Sequence, residues 1–236
     1  ATPLVDTCGT GGDKADTFNI STASALVAAG AGVNIAKHGN RAVSSQSGSA
    51  DVLKCLGVNL DAGLPTVKRC VEKAGIGFLF APLMHKAMKH AAGVRKELGF
   101  RTIFNLLGPL TNPANAEAQV LGVFDAKWVQ PMAEVLAGLG CSHALVVHGE
   151  DGLDEITLTG ESHIAELKKG KIKSYKIDPD ELGLEICFSE DLKGGTPEEN
   201  AAIIEGILNS QTGPKRDIVV LNAAAAIYVA GKAKSI

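Results

Sequence analysis

Aromatic side chains are scarce in this sequence: one Trp, two Tyr and seven Phe among 236 residues, or 4%. So thin a supply argues against a surface that stacks the bases of a single-stranded nucleic acid. No Cys-x-x-Cys pair occurs. The five cysteines (Cys8, Cys55, Cys70, Cys141 and Cys187) are odd in number and far apart, which excludes a simple zinc ribbon and a paired disulfide framework. They read as reduced, mostly buried thiols of a cytoplasmic protein. No apolar run reaches the roughly 18 residues of a spanning helix, and no secretory signal is visible at the start. Large net charge is lacking too: 23 Lys+Arg against 26 Asp+Glu leave −3, with no general pull toward nucleic acid or an anionic membrane. The chain has no Gly-Lys-Ser/Thr of a P-loop, no His-x-x-x-His, and no evident nucleophile–base constellation.

What is present is glycine, 27 residues of it, and an alternation of apolar runs with helical patterns that reads as an α/β fold with a largely parallel sheet flanked by helices. The spacing predicts strands at Leu4–Val5, Val33–Ala36, Ile76–Phe80, Gln119–Phe124 and His143–His148. Helices are predicted over Ile20–Ala31, Ala50–Leu56, Thr66–Ala74, His85–Leu98 and Ala126–Leu139, and from Pro197 to about Leu208 and Pro214 to Tyr228. Gly75 suits a helix C′ position, and Pro197 an N1 position followed by two favourable glutamates. Lys168, Lys169, Lys171, Lys173 and Lys176 make a basic hairpin about Gly170, read as a solvated face. The run Gly108-Pro109-Leu110-Thr111-Asn112-Pro113 suits a rigid crossover or hinge.

Three segments carry chemistry. Gly9-Thr10-Gly11-Gly12-Asp13 follows the first strand, and Asn19-Ile20-Ser21-Thr22 opens the next helix. Glycines let backbone N–H groups approach an anion, and a helix start adds unpaired N–H groups and its positive dipole end. A plain turn capped by Asn19 accounts for the same residues. Lys37-His38-Gly39-Asn40-Arg41 follows the second strand, with a serine-rich stretch through Ser49 after it. At the carboxyl end of a parallel strand such a segment suits a phosphorylated sugar; a solvated polar loop is the alternative. Asp154 and Glu155 follow the strand ending at His148. As hard oxygen ligands they suit Mg²⁺, although neighbours in an extended chain would serve two ions, or one ion and a water. Arg95 and Arg101 flank a short turn, and on spacing alone they are surface arginines. His143 and His148 read as strand-end or core residues, and Trp128 as packing.

Taken in order, five segments resemble the anthranilate phosphoribosyltransferase family of tryptophan biosynthesis: residues 6–13, 17–22, 37–41, the run from Arg101-Thr102-Ile103-Phe104-Asn105 to Pro113, and Asp151-Gly152-Leu153-Asp154-Glu155. The resemblance implies the nucleoside phosphorylase/phosphoribosyltransferase-like large domain over 1–236, with a hinge-side helical segment at about 85–113. It also implies transfer of phosphoribose from 5-phosphoribosyl 1-pyrophosphate to the amino group of anthranilate. Carried over by position, Gly9, Gly12, Asp13, Thr17, Asn19, Ile20, Ser21, Thr22, Lys37, His38, Gly39, Asn40, Arg41, Ala42, Val43, Ser44, Ser45 and Ser49 would bind the sugar pyrophosphate. Gly9, Asn40 and Arg95 would meet anthranilate, and Ser21, Asp154 and Glu155 would hold Mg²⁺.

The resemblance further implies an N-terminal helical domain of roughly 70 residues before the first strand, on ordinary domain size, and a continuation past Ile236. Anthranilate would lie at the hinge with that domain, and a homodimer would form through it. Lys86 stands where the family commonly has Pro. Displacement at an anomeric carbon by a neutral arylamine needs leaving-group stabilisation and positioning more than a strong base, so no residue is assigned as general base. Two other readings are a pyrimidine nucleoside phosphorylase-like enzyme on the same fold and a nucleic-acid-binding relative, the latter disfavoured by the net charge.

Overall fold

The computed structural model describes residues 2–42, 46–88, 90, 97 and 102–236. Seven strands form one sheet in the order β3-β2-β1-β4-β5-β6-β7. They are β1 (Leu4–Gly9), β2 (Asn34–Gly39), β3 (Ile76–Phe80), β4 (Ala118–Gly122), β5 (His143–Gly149), β6 (Ser162–Lys168) and β7 (Lys171–Ile177). The first five run parallel, and β6 and β7 extend the sheet antiparallel. The principal helices are α1 (Ile20–Gly30), α2 (Ser49–Cys55), α3 (Leu64–Ala74), α4 (Val129–Gly138), α5 (Pro197–Leu208) and α6 (Pro214–Val229).

Both faces of the sheet are covered, as the two-residue period of a strand requires when each face meets helices. Val5, Ile35, Val120, Leu145 and Val147 point to one side and pack with α1, α5 and α6. Their neighbours Leu121, Ala144 and Val146 point to the other, against Val129, Met132, Ala133 and Leu136 of α4; Ala36 and Leu79 meet Val67 of α3 on that side. Helices α1 and α6 pack directly. Ala23, Ala25 and Ala28 on one and Ala223, Ala225 and Ala226 on the other are buried, and side chains this small let helix axes approach closely.

The α/β architecture matches the expectation from the sequence, and the differences cluster at strand ends. β1 runs through Asp6-Thr7-Cys8-Gly9 and β2 through Lys37-His38-Gly39, so these residues lie within strands rather than after them. Charged residues are poor strand formers; here tertiary partners described below hold them. A 3₁₀ turn (Ala126–Trp128) precedes α4. The expected helix His85–Leu98 falls largely outside the described residues. The lysine hairpin turns at Lys169 and Gly170, with φ of 51° and 75°, the left-handed pair a two-residue hairpin needs. None of the five cysteines is fully buried, and Cys55 and Cys70 are exposed, which corrects the expectation of mostly buried thiols. Among the described residues no helix is long and apolar enough to cross a membrane.

Candidate active site at the β1–β4 switch point

From β1 the chain winds outward through β2 to β3, whereas β4, on the other side of β1, begins the run through β5 to β7. The gap above β1 and β4 is therefore the topological switch point, where open α/β sheets bind ligands. Gly9 and Gly122 end these two strands and face each other in register. A Cβ on Gly122 would overlap the backbone carbonyl of Asp154, and one on Gly9 would overlap its carboxylate. The acidic turn thus sits directly on the two strand ends, and only glycine leaves room for it. The Gly11 N–H donates to Asp154 Oδ2 at 2.7 Å. Gly11 and Gly12 have φ of 64° and 76°, left-handed values that glycine adopts without strain.

Beneath the turn lies Lys37, 2% exposed. Its ammonium donates to the Thr7 carbonyl and to Ser21 Oγ at 3.2 Å, so it points inward instead of reaching out of a polar loop. Burial pushes its pKa down, opposed by the charges of Asp6, Cys8, Glu155 and Asp154. Asp6, with no exposed surface, accepts from the His38 N–H at 3.1 Å and from Asn112 Nδ2 at 2.8 Å. Asn112 donates also to the Ala36 carbonyl at 2.8 Å, tying the Pro-rich crossover to β1 and β2. His38 Nε2 and His85 Nε2 lie 3.1 Å apart, and burial, reinforced by His85, holds His38 at about 4.

Asn19 occupies the N-cap position of α1 but makes no side-chain cap bond. Its Oδ1 accepts from Ser47 Oγ at 3.1 Å and from Asn200 Nδ2 at 3.0 Å, and its Nδ2 donates to the Ser47 carbonyl at 3.1 Å. The start of α1, the approach to α2 and α5 are joined through this one amide. Asp51 of α2 accepts from the N–H groups of Ala42 and Gly48 at 2.9 and 3.0 Å, and Arg41, largely exposed, lies 3.7 Å from its carboxylate. Ser49 Oγ donates to the Asn40 carbonyl at 3.3 Å. Ile20 is a core residue, and Thr22 Oγ1 is buried with no partner among the described residues. Thr17 bridges to Lys193. Val43, Ser44, Ser45, Arg95 and Arg101 lie outside the described residues.

The electrostatics of the turn are those of crowded carboxylates. Burial raises Asp154 to about 7, with the charge of Asp13 adding to it. Glu155 is also pushed well above the carboxylate range, by burial first and then by Asp154; Lys37 opposes this, as does the backbone N–H of Ser21 at the start of α1. Asp154 and Glu155 share the buried Lys37 ammonium while Asp13 adds to the negative charge, and a divalent cation with oxygen ligands would relieve that excess. Ser21, Asp154 and Glu155 suit such an ion, although among the described residues no three His, Cys, Asp or Glu side chains converge on one point. The two acidic side chains are neighbours in a bent, irregular turn, not in an extended chain, which removes the geometric objection raised by a strand-like reading.

Sequence reasoning quoted Asp6 within a motif but gave it no role, and it missed Asn222 altogether. Their signal is a lone polar residue inside an otherwise apolar strand or an Ala-rich helix, and it becomes informative only once burial is known.

Fold and site together define an α/β domain with its ligand site at a topological switch point, and residues 1–236 match the family described as "Glycosyl transferase family, a/b domain" over their whole length. The chain is 58% identical over 232 residues to an anthranilate phosphoribosyltransferase of Clostridium kluyveri, covering 98% of this chain and 69% of the relative. It superposes with a TM-score of 0.93 and 54% identity on the anthranilate phosphoribosyltransferase of Thermus thermophilus, over 99% of this chain and 69% of that one. The Saccharomyces cerevisiae enzyme in complex with PRPP and Mg gives a TM-score of 0.87 at 32% identity, covering 97% of this chain and 65% of that one. The chain belongs to the anthranilate phosphoribosyltransferase family.

Proposed function

We propose that this chain transfers 5-phosphoribose from 5-phosphoribosyl 1-pyrophosphate to the amino group of anthranilate, giving N-(5′-phosphoribosyl)anthranilate and pyrophosphate. The observation that carries the reading is the acidic turn seated over paired glycines at the switch point, with the glycine loop and the start of α1 beside it. In the reaction the bond from C1 of ribose to the pyrophosphate oxygen breaks, a bond from C1 to the amine nitrogen forms, and the nitrogen loses a proton.

The positive end of α1 stabilises charge on the phosphates, and the glycines of residues 9–12 leave room for them to approach it. Thr17, Asn19 to Thr22, Lys37 to Ser45 and Ser49 complete the sugar-pyrophosphate site. Ser21, Asp154 and Glu155 would hold Mg²⁺, which supplies positive charge to the leaving pyrophosphate when bound. Lys37 acts from beneath as the fixed counter-charge of the acidic turn. Gly9, Asn40 and Arg95 receive anthranilate, with the guanidinium on its carboxylate. A homodimer and a cytoplasmic setting belong to the same reading, supported by the family and by cysteines that form no disulfide among the described residues.

Steady-state kinetics of Arg95→Ala test this reading. KM for anthranilate should rise far more than KM for the sugar pyrophosphate, and equal rises would remove Arg95 from the amine site. Phosphorolysis of pyrimidine nucleosides without consumption of anthranilate would favour a phosphorylase instead.

A further inference from the structure

The acidic turn follows β5 as irregular chain, without a neighbouring strand to hold its backbone, and something has to fix it. On its N-terminal side Asp151 does so. Its Oδ2 accepts from Thr157 Oγ1 and Thr159 Oγ1, both at 2.7 Å, and its Oδ1 from the Leu153 N–H at 3.1 Å. On the C-terminal side the partner comes from 66 residues further along the chain. Asn222, in the middle of α6 and 2% exposed, accepts from the Ile156 N–H at 3.0 Å and donates to the Ile156 carbonyl at 2.8 Å. Its amide engages the N–H and C=O of one residue as a neighbouring β-strand would. The same Nδ2 donates to the Ile218 carbonyl one helical turn back, at 3.0 Å, which locks the rotamer. Ile156, with no exposed surface, is the residue directly after Glu155.

We propose that Asn222 is a positioning residue for the acidic pair: its amide substitutes for a strand edge and fixes the backbone that presents Asp154 and Glu155 over Gly9 and Gly122. This deepens the functional reading and rests on it, since the pair is taken there as the Mg²⁺ site. Buried amides are costly to leave unpaired, and here all three bonds of the amide go to backbone groups. Only Asn has the donor, the acceptor and the length that the geometry uses. Gln would carry the amide one methylene too far, and Asp would set an oxygen against the Ile156 carbonyl.

The test uses the full chain with Asn222→Ala, and Asn222→Asp as the isosteric variant should the first fail to fold. Two measurements are made: amide hydrogen exchange at Ile156, and calorimetric titration of 5-phosphoribosyl 1-pyrophosphate with and without Mg²⁺. In the variant, exchange at Ile156 should quicken by roughly tenfold or more while β5 amides hold their protection. The Mg²⁺-dependent gain in affinity should fall about 10- to 100-fold, the usual effect of losing a group that orients metal ligands. Faster exchange with an unchanged Mg²⁺-dependent gain would overturn the positioning role and leave Asn222 as packing. A wild-type chain that shows no Mg²⁺-dependent binding would overturn the functional reading, and this role with it.

Discussion

The two ends of the β5–β6 region both hold a partly buried carboxylate and treat it in opposite ways. Glu166 of β6 accepts from Tyr228 at 2.7 Å and from Tyr175 at 3.3 Å, and it lies 3.0 Å from His143 Nε2 at the start of β5. Burial pulls its pKa up, but the bonds from Tyr228 and His143 outweigh burial and hold it below the usual range. Past the far end of the same strand, Glu155 is also drawn up by burial, and there the net shift stays well above that range. One carboxylate is satisfied by the chain itself. The other keeps an excess of negative charge that Lys37 only partly offsets, and it is the one proposed above as a metal ligand.

The largest break in that contrast comes from Gly122→Ala. A methyl there overlaps the Asp154 carbonyl, and backbone cannot swing aside as a side chain does. Overpacking of this kind costs about 1–3 kcal/mol, and because it displaces the acidic turn, calorimetry should show Mg²⁺-dependent sugar-pyrophosphate binding abolished. Retained binding would mean that the turn is free to move.

Next in size is Asp154→Asn with Glu155→Gln, read by thermal melts in chelator between pH 5 and pH 7.5. Asp154 ordinarily ionises near 3.8 and here at about 7. The folded chain therefore keeps a proton that the unfolded chain has released, and stability falls as pH rises through that window. Wild type should lose melting temperature more steeply than the variant, and added Mg²⁺ should restore only wild type. Parallel slopes would show that the pair is not strained.

The smallest effect on function belongs to Glu166→Gln. Stability should drop by about 1–3 kcal/mol through lost charge-assisted bonds while sugar-pyrophosphate affinity stays as in wild type. A fall in affinity would make the two regions less independent than their hydrogen bonds indicate.

Periodicity made the strands and helices legible because the core residues that produce it are apolar on both faces. It fell short where Asp6, Lys37 and His38 continue β1 and β2, since charge inside a strand reads as a loop until its partners are known. The glycine loop and Asp154-Glu155 are visible as motifs; their convergence is implied only by the family resemblance, not by spacing. It depends on Gly9 meeting Gly122 across 113 residues of chain, a pairing set by strand order. Asn222 was illegible for a related reason: its partner is the backbone of Ile156, which has no sequence signature.

The amide of Asn19 carries one more consequence. Its oxygen already takes two hydrogen bonds and its nitrogen gives one, so among the described residues a single N–H is left to offer and no acceptor. A visiting group there finds only a hydrogen to receive. What this amide offers is therefore one-directional: it can donate to an oxygen, and it has nothing left with which to receive.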